Sequence, residues 1–513
     1  MAAELHFLVV PLIAQGHIIP MLEVARLLAA RGARATVVTT PVNAARNGAA
    51  VEAARRDGLA VDLAEVAFPG PEFGVPEGLE NMDQLADADP GMYLSLQRAI
   101  WAMAAPLERL VRALPRRPDC LVADYCNPWT APVCDRLGIA RVVMHCPSAY
   151  FLLATHNLSK HGVYGRLALA AGDGELEPFE VPDFPVRAVV DTATFRRFFQ
   201  WPGLEEEERD AVEAERTADG FVINTFRDIE GAFVDGYAAA LGRRAWAIGP
   251  TCAAAAAGTD ADARASRGNR ADVDAGRILS WLDAWPPASV LYISFGSISH
   301  LAAKQVIELA RGVEASGRPF VWAIKEAKAA AAAVREWLDG EGYEERVKDR
   351  GVLVRGWAPQ VSILSHPATG GFLTHCGWNA ALEAIAHGVP ALTWPTILDQ
   401  FSSERLLVDV LGVGVRSGVT APPMYLHAEA EGVQVTGAGV EKAVAELMDG
   451  GADGAARRAR ARELAATARA AVEEGGSSHA DLTDMIRHVG AQCRLDFQTT
   501  TTSIIRSSPN SLD

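Results

Sequence analysis

The chain has 513 residues, of which 49% are hydrophobic and 22% charged, and a net charge of −16. That length exceeds one ordinary domain, the apolar content excludes a disordered chain, and the acidic balance argues against a partner held through a phosphate backbone. The seven cysteines (Cys120, Cys126, Cys134, Cys146, Cys252, Cys376 and Cys493) include no pair at metal-ligand spacing, and their odd number fits free thiols in a reducing compartment.

The first element is the apolar run Leu5–Leu12, which reads as a buried strand. It has no basic flank and no small-residue cleavage site, and it carries Glu4 and His6, so it does not read as a signal peptide. No stretch reaches the roughly 18 uninterrupted apolar residues of a membrane span, and a cytoplasmic protein is expected. His17–Ala30 has helical spacing, with Ile18, Met21, Leu22, Ala25 and Leu28 on one face, and Arg31-Gly32 ends it. Ala35–Thr40, Cys120–Ala123, Val142–His145 and Phe221–Asn224 read as further short strands. Apolar strands separated by helices predict a parallel sheet covered on both faces.

Thr251–Gly276 has little apolar bulk beyond alanine and reads as a linker or surface loop. The alternation then resumes, with strands predicted at Ser289–Phe295, Phe320–Ile324, Gly351–Gly356, Gly371–Thr374 and Pro390–Trp394. Ala455–Ala471 and the segment to Val489 read as terminal helices. The polar, low-complexity tail from Leu495 is expected to be disordered. The implied division is residues 1–250, a linker at 251–276, a second α/β unit at 277–460, helices at 461–492 and a tail at 493–513.

The chemistry gathers just past strand ends, where an open parallel sheet binds its ligands. Gly296-Ser297, Trp357-Ala358-Pro359-Gln360, His375-Cys376-Gly377-Trp378-Asn379 and Asp399-Gln400 each follow a predicted strand of the second half. A helix opening at about Asn379 offers free N–H groups and the positive dipole end to a diphosphate. His375, Asn379 and Ser297 can add donors, and Gly377 permits close backbone approach. Trp357 offers a flat face to a base. Glu383 lies one turn after Asn379 and can take both hydroxyls of a ribose, while Asp399 and Gln400 suit the hydroxyls of a hexose. Taken singly, each has a structural reading: a core Trp, a capping His or Glu, a loop Asp-Gln.

The stretch Trp357–Gln400, WAPQVSILSHPATGGFLTHCGWNAALEAIAHGVPALTWPTILDQ, resembles the signature of plant secondary-product UDP-glycosyltransferases. PLIAQGHIIP, TVVTTPVNAARN, GFVINTF and SVLYISFGS are similar to the same family, so the resemblance runs from near the start to about Leu495. It implies the GT-B fold of glycosyltransferase family 1. Two Rossmann-like domains with parallel sheets face a central cleft, and the C-terminal helix packs back on the first domain. It implies that Trp357 stacks on uracil, that Ala358 and Gln360 belong to the uridine site, and that Glu383 holds the ribose. His375, Gly377, Asn379 and Ser297 would meet the diphosphate, and Trp378, Asp399 and Gln400 the sugar. Gln400 at the last motif position is associated with glucose donors. One position departs from the pattern: Ala380 stands where the family usually has a phosphate-binding serine.

The same resemblance makes His17 the general base and Asp124 its partner. Chemistry supports this, because a neutral hydroxyl is a poor nucleophile near pH 7 and imidazole has a suitable pKa to take its proton. The expected reaction is inverting transfer from a UDP-sugar co-substrate to a hydroxyl of a small lipophilic acceptor such as a phenolic, terpenoid, steroid or hormone. No cofactor, metal or nucleic acid is expected, and a monomer is. Met82, Tyr93, Tyr150, Phe151, Phe198, Phe199 and Trp201 are candidates for the acceptor's apolar walls or for core. The strings Asp87-Ala88-Asp89, Asp260-Ala261-Asp262 and Asp272-Val273-Asp274 resemble metal-binding D-x-D but follow no strand, and chance explains them in an acidic chain. A dinucleotide-dependent oxidoreductase would want G-x-G-x-x-G after the first strand, where Gln15-Gly16-His17 stands instead. A non-catalytic nucleotide-sugar sensor would have no need of both His17 and Asp124.

Overall fold

The computed structural model describes residues 4–85, 90–164, 178–191, 194–200, 203–256, 275–299, 301–324, 328–422 and 432–506. Fifteen strands are described: β1 His6–Val10, β2 Arg34–Thr39, β3 Val61–Glu65, β4 Cys120–Asp124, β5 Ala140–His145, β6 Phe179–Glu180, β7 Val189–Val190, β8 Gly220–Ile223, β9 Ala245–Ala247, β10 Val290–Ser294, β11 Phe320–Ile324, β12 Gly351–Arg355, β13 Thr369–Thr374, β14 Ala391–Thr393 and β15 Gly414–Arg416. The first sheet has the order β3-β2-β1-β4-β5-β8-β9 and the second β12-β11-β10-β13-β14-β15. Every pairing in both is parallel. Among the described residues only β6 and β7 pair antiparallel, as a separate hairpin.

The central strands β1, β4, β10 and β13 are buried along their whole length, which is why they read as unbroken apolar runs. In the first sheet the chain winds outward from β1 in one direction and from β4 in the other. In the second it does so from β10 and from β13. Each sheet therefore has its topological switch point between those two strands, and the crevice at their carboxyl ends is the expected ligand site.

The two parallel sheets are the two Rossmann-like units that the sequence resemblance implies. An apolar cluster shared between the halves joins Ile223 and Phe226 to Trp378, Ala381, Leu382, Ile385, Leu464 and Ala468. The last helix, Ser477–Arg506, returns to the first sheet and buries Leu482, Met485 and Val489 there. Asp481 accepts from the Ala247 N–H at 2.9 Å, Asp484 from the Trp246 indole at 3.0 Å, and Ser478 donates to the Gly249 carbonyl at 2.5 Å. No described helix is long and apolar enough to cross a membrane.

Several sequence expectations are corrected. The first strand ends at Val10, before Pro11, which lacks the N–H a central strand must donate. The strands β3, β9 and β15 and the β6–β7 hairpin were not predicted. The helix Thr251–Ala256 begins the segment expected as linker, and residues 257–274 lie outside the described residues. The expected disordered tail from Leu495 is helical to Arg506, since no Gly or Pro interrupts the chain between Gly490 and Pro509.

Candidate functional site

The helix Gln15–Ala29 starts five residues after β1 ends, and β4 ends at Asp124 beside it. This places His17 and Asp124 together at the switch point of the first sheet, with His17 Nδ1 2.7 Å from Asp124 Oδ2. Asp124 is nearly sealed, whereas the His17 side chain keeps 16% of its surface. Burial raises the Asp124 pKa, but the facing imidazole and the N–H groups of Cys126 and Leu12 outweigh it and hold the carboxyl below its ordinary value. An ionised carboxylate can only accept, so Nδ1 donates and the Nε2 lone pair is left to act as a base. Burial likewise lowers the His17 pKa. Asp124, by charge and hydrogen bond, and then Asp399 outweigh that, and the net shift is upward from 6.5.

The Cys146 Sγ lies 4.0 Å from Asp124 Oδ2, so His17, Asp124 and Cys146 bring N, O and S atoms within 4.8 Å of one another. Asp124 accepts from both of the others, and its short bond to Nδ1 is one through which a carboxylate can orient an imidazole.

The second sheet presents its switch point to the first. β10 leads into Gly296-Ser297 and β13 into the turn His375-Cys376-Gly377, after which the helix Trp378–His387 begins with Gly377 as its N-cap. The turn is strained: Cys376 has φ 66° and no exposed surface, and Leu398, just before Asp399, has φ 51°. Non-glycine residues in this left-handed region concentrate where function fixes the backbone. The His375 ring lies between Gly296 and Gly377, and a Cβ at either would run into it. Burial pushes the His375 pKa down to about 4, so near pH 7 it offers a neutral N–H. Burial pushes Asp399 up to about 7, with His17 as the first opposing influence.

Gln360 and Glu383 meet, with Nε2 donating to Oε2 at 2.7 Å, and the Tyr292 hydroxyl donates to Gln360 Oε1 at 3.3 Å. Trp357 is half-buried after β12, and Ala358 is packed into an apolar cluster with Tyr292 and Phe372.

Three expected ligands are placed differently from a simple donor contact. The Trp378 indole points into the shared core and donates to the Asn224 carbonyl at 2.8 Å, leaving its backbone N–H at the helix start. Asn379 donates to the Gly16 carbonyl and accepts from Asn224 at 3.1 Å, so its side chain crosses to the first sheet. Gln400 is buried, with Oε1 accepting from the Thr396 and Ile397 N–H groups at 2.7 and 3.1 Å and Nε2 donating to Ser299 at 3.2 Å.

Of the acceptor candidates, Met82, Tyr93, Phe198 and Phe199 share one cluster with Leu12, Ile13 and Ala14 on the approach to His17, and Ile298 joins from the second sheet. Tyr150 and Phe151 are core. Trp201 and all three D-x-D strings lie outside the described residues. Sequence reasoning missed Tyr292, Ser299, Thr251 and Asn224. Asn224 was findable, because it follows a strand end just as Asp124 closes one.

Comparison with known proteins agrees with this layout. The family described as "Glycosyltransferase, N-terminal domain" matches residues 3–252, and "UDP-glucoronosyl and UDP-glucosyl transferase" matches residues 277–419. UDP-glycosyltransferase 73C5 of Arabidopsis thaliana is 41% identical over 493 residues, covering 95% of this chain and 97% of that one. The crystal structure of UGT73P12 of Glycyrrhiza uralensis, complexed with glycyrrhetinic acid 3-O-monoglucuronide, superposes with a TM-score of 0.86 at 29% identity over 98% of this chain and 99% of that one. UGT89C1 of Arabidopsis thaliana, complexed with UDP-L-rhamnose, gives 0.72 at 27% identity over 95% and 100%.

Proposed function

Because the chain belongs to the plant UDP-glycosyltransferases, and so transfers a glycosyl group from a UDP-sugar, we propose that it moves glucose onto a hydroxyl of a small lipophilic acceptor with His17 as general base. The observation that carries the mechanism is the 2.7 Å bond between His17 and Asp124, at a strand-end crevice opposite the His375–Trp378 turn. Asp124 holds the ring in the tautomer whose Nε2 can accept the acceptor's proton and stabilises the imidazolium that forms. The freed oxygen attacks the anomeric carbon from the side opposite UDP, and the configuration inverts.

The departing diphosphate is received by the backbone N–H groups of Trp378 and Asn379, by His375 and by Ser297, with Gly377 allowing close approach. These neutral donors and the helix dipole carry out the charge stabilisation without a metal ion. Trp357 and Ala358 line the base, Gln360 and Glu383 the ribose. Asp399 and Gln400 meet the sugar. An Asp399 carboxyl with a pKa of about 7 can donate as well as accept there. Gln400 supports glucose among the hexoses. The apolar group of Met82, Tyr93, Phe198 and Phe199 supports an apolar acceptor. A monomer in the cytoplasm, divided near residues 250 and 276, completes the reading.

The test is a mass-spectrometric competition. Purified protein receives equimolar UDP-glucose, UDP-galactose, UDP-glucuronic acid and UDP-L-rhamnose with a phenolic, a steroid and glycyrrhetinic acid as acceptors. A hexose adduct that follows labelled UDP-glucose is expected; a preference for any other donor overturns the glucose assignment.

A further inference from the structure

Asn224 is a buried residue outside the machinery just described, directly after β8 and 2% exposed. All of its polar groups are bonded. Its N–H donates to the His145 carbonyl at 3.2 Å, and its carbonyl accepts from the Trp378 indole at 2.8 Å. Its Oδ1 accepts from the Thr251 N–H at 3.1 Å, and its Nδ2 donates to Asn379 Oδ1 at 3.1 Å.

Both side-chain bonds lead to the helix that carries His17. Asn379 passes the link on by donating to the carbonyl of Gly16, the residue before His17. Thr251 passes it on by donating from Oγ1 to Glu23 Oε2 at 2.5 Å, and Glu23 lies buried on the same helix. Positions 16 and 23 are about two helical turns apart. The bonds therefore close a loop from Asn224 through Asn379 to Gly16, along the helix to Glu23, and through Thr251 back to Asn224. Gly249 makes room for it, since a Cβ there would stand 2.5 Å from Asn224 Oδ1. Each carboxamide uses one donor and one acceptor on separate atoms, a pattern that an ionised carboxylate cannot reproduce.

We propose that Asn224 is a positioning residue for glycosyl transfer: its carboxamide fixes the Gly16–His17 turn against the N-terminus of the Trp378–His387 helix. The distance between the base and the sugar donor is set by this loop, in which Asn224 itself touches neither substrate and Asn379 meets the donor only through its backbone N–H. The inference rests on the reading of His17 as base and of that helix start as diphosphate cradle.

The test uses the full chain with two near-isosteric changes. Asn224→Asp keeps an acceptor for Thr251 but loses the donor to Asn379. Thr251→Val removes only the bond to Glu23. A misplacement of about 1 Å costs on the order of 10²-fold in rate, so kcat is expected to fall about 10–100-fold in Asn224→Asp and several-fold in Thr251→Val. The dissociation constant for UDP is expected to stay within about twofold. The double variant should lose less than the product of the singles, because both cut one loop. Lower thermal stability with unchanged kcat overturns the proposal, as does UDP affinity that falls in step with kcat. If Asn224→Asp does not fold, Thr251→Val decides by the same readouts. A wild type that transfers nothing takes down the reading of the site and the positioning role together; variants that match an active wild type overturn the positioning role alone.

Discussion

Nδ1 of His17 and Oδ2 of Asp124 lie 2.7 Å apart although 107 positions separate them, because β1 and β4 are neighbouring parallel strands that end at the same edge. Removing the imidazole leaves the second sheet untouched. His17→Ala is expected to lower kcat by about 10²–10⁴-fold, the usual value of a general base, with UDP affinity unchanged. Steady-state kinetics beside a UDP titration measure both. An undiminished kcat would remove His17 from the mechanism.

The pH profile has a definite sign. The proposed base would work as neutral imidazole, and the facing carboxylates hold the His17 pKa above 6.5 against the effect of burial. The acid limb of kcat/KM is therefore expected above pH 6.5, with the rate dropping about tenfold per pH unit below it. Asp124→Asn removes the foremost raising influence, so the limb should move to lower pH while the maximal rate falls by up to about 10⁴-fold. A wild-type limb below 6.5, or one unmoved in Asp124→Asn, contradicts the assignment.

Strand ends made most of this site legible. His17, Asp124, Ser297 and His375 all stand where a buried apolar run gives way to polar residues, and the long motif from Trp357 to Gln400 covers the rest. Asn224 sits in the same kind of place but was passed over, because it was read as the last residue of the strand Phe221–Asn224, whereas the strand ends at Ile223. Periodicity was silent on β9 and β15, which have three residues each, and weak on β3, where Asp62 and Glu65 break the apolar run. Side-chain direction was beyond reach. The sequence gives Trp378 and Asn379 their identities, but only the packing of the two sheets turns the indole and the carboxamide towards Asn224 and Gly16.

Ala380 lies in the first turn of the Trp378–His387 helix, its methyl packed with Tyr292, Ala358 and Phe372. The sequence resemblance puts a phosphate-binding serine at this position. Ala380→Ser is expected to tighten UDP-sugar binding by about 0.5–1.5 kcal/mol, or roughly 2- to 12-fold in KM, the net value of one hydrogen bond. Unchanged KM with a lower Tm would mean that the hydroxyl is buried without reaching the phosphates.

Excess EDTA is expected to leave the initial rate unchanged, because in the proposed mechanism helix-terminal N–H groups and the neutral His375 receive the diphosphate. A rate lost to chelation and restored by Mg²⁺ or Mn²⁺ would overturn the metal-free mechanism and return attention to Asp87, Asp89, Asp260, Asp262, Asp272 and Asp274.

Gly296 is held to glycine for two separate reasons, and one of them acts through His375 on the proposed diphosphate site. Its φ is +70°, a region that costs an L-residue roughly 1–2 kcal/mol. A Cβ would also stand 2.5 Å from the His375 ring, which is wedged against Gly377 on its other side and has no room to retreat. Gly296→Ala must therefore displace His375, the loop, or both. His17 and Asp124 belong to the other sheet and keep their bond. The expected result is a UDP-sugar KM raised about tenfold or more, equivalent to at least one charge-assisted or buried hydrogen bond lost, with only a small fall in Tm and an unaltered acid limb. Isothermal titration with UDP separates the two reasons. Weakened UDP binding with a near-normal Tm assigns the glycine to the His375 contact; a lowered Tm with normal UDP affinity assigns it to backbone conformation alone and removes His375 from the diphosphate site.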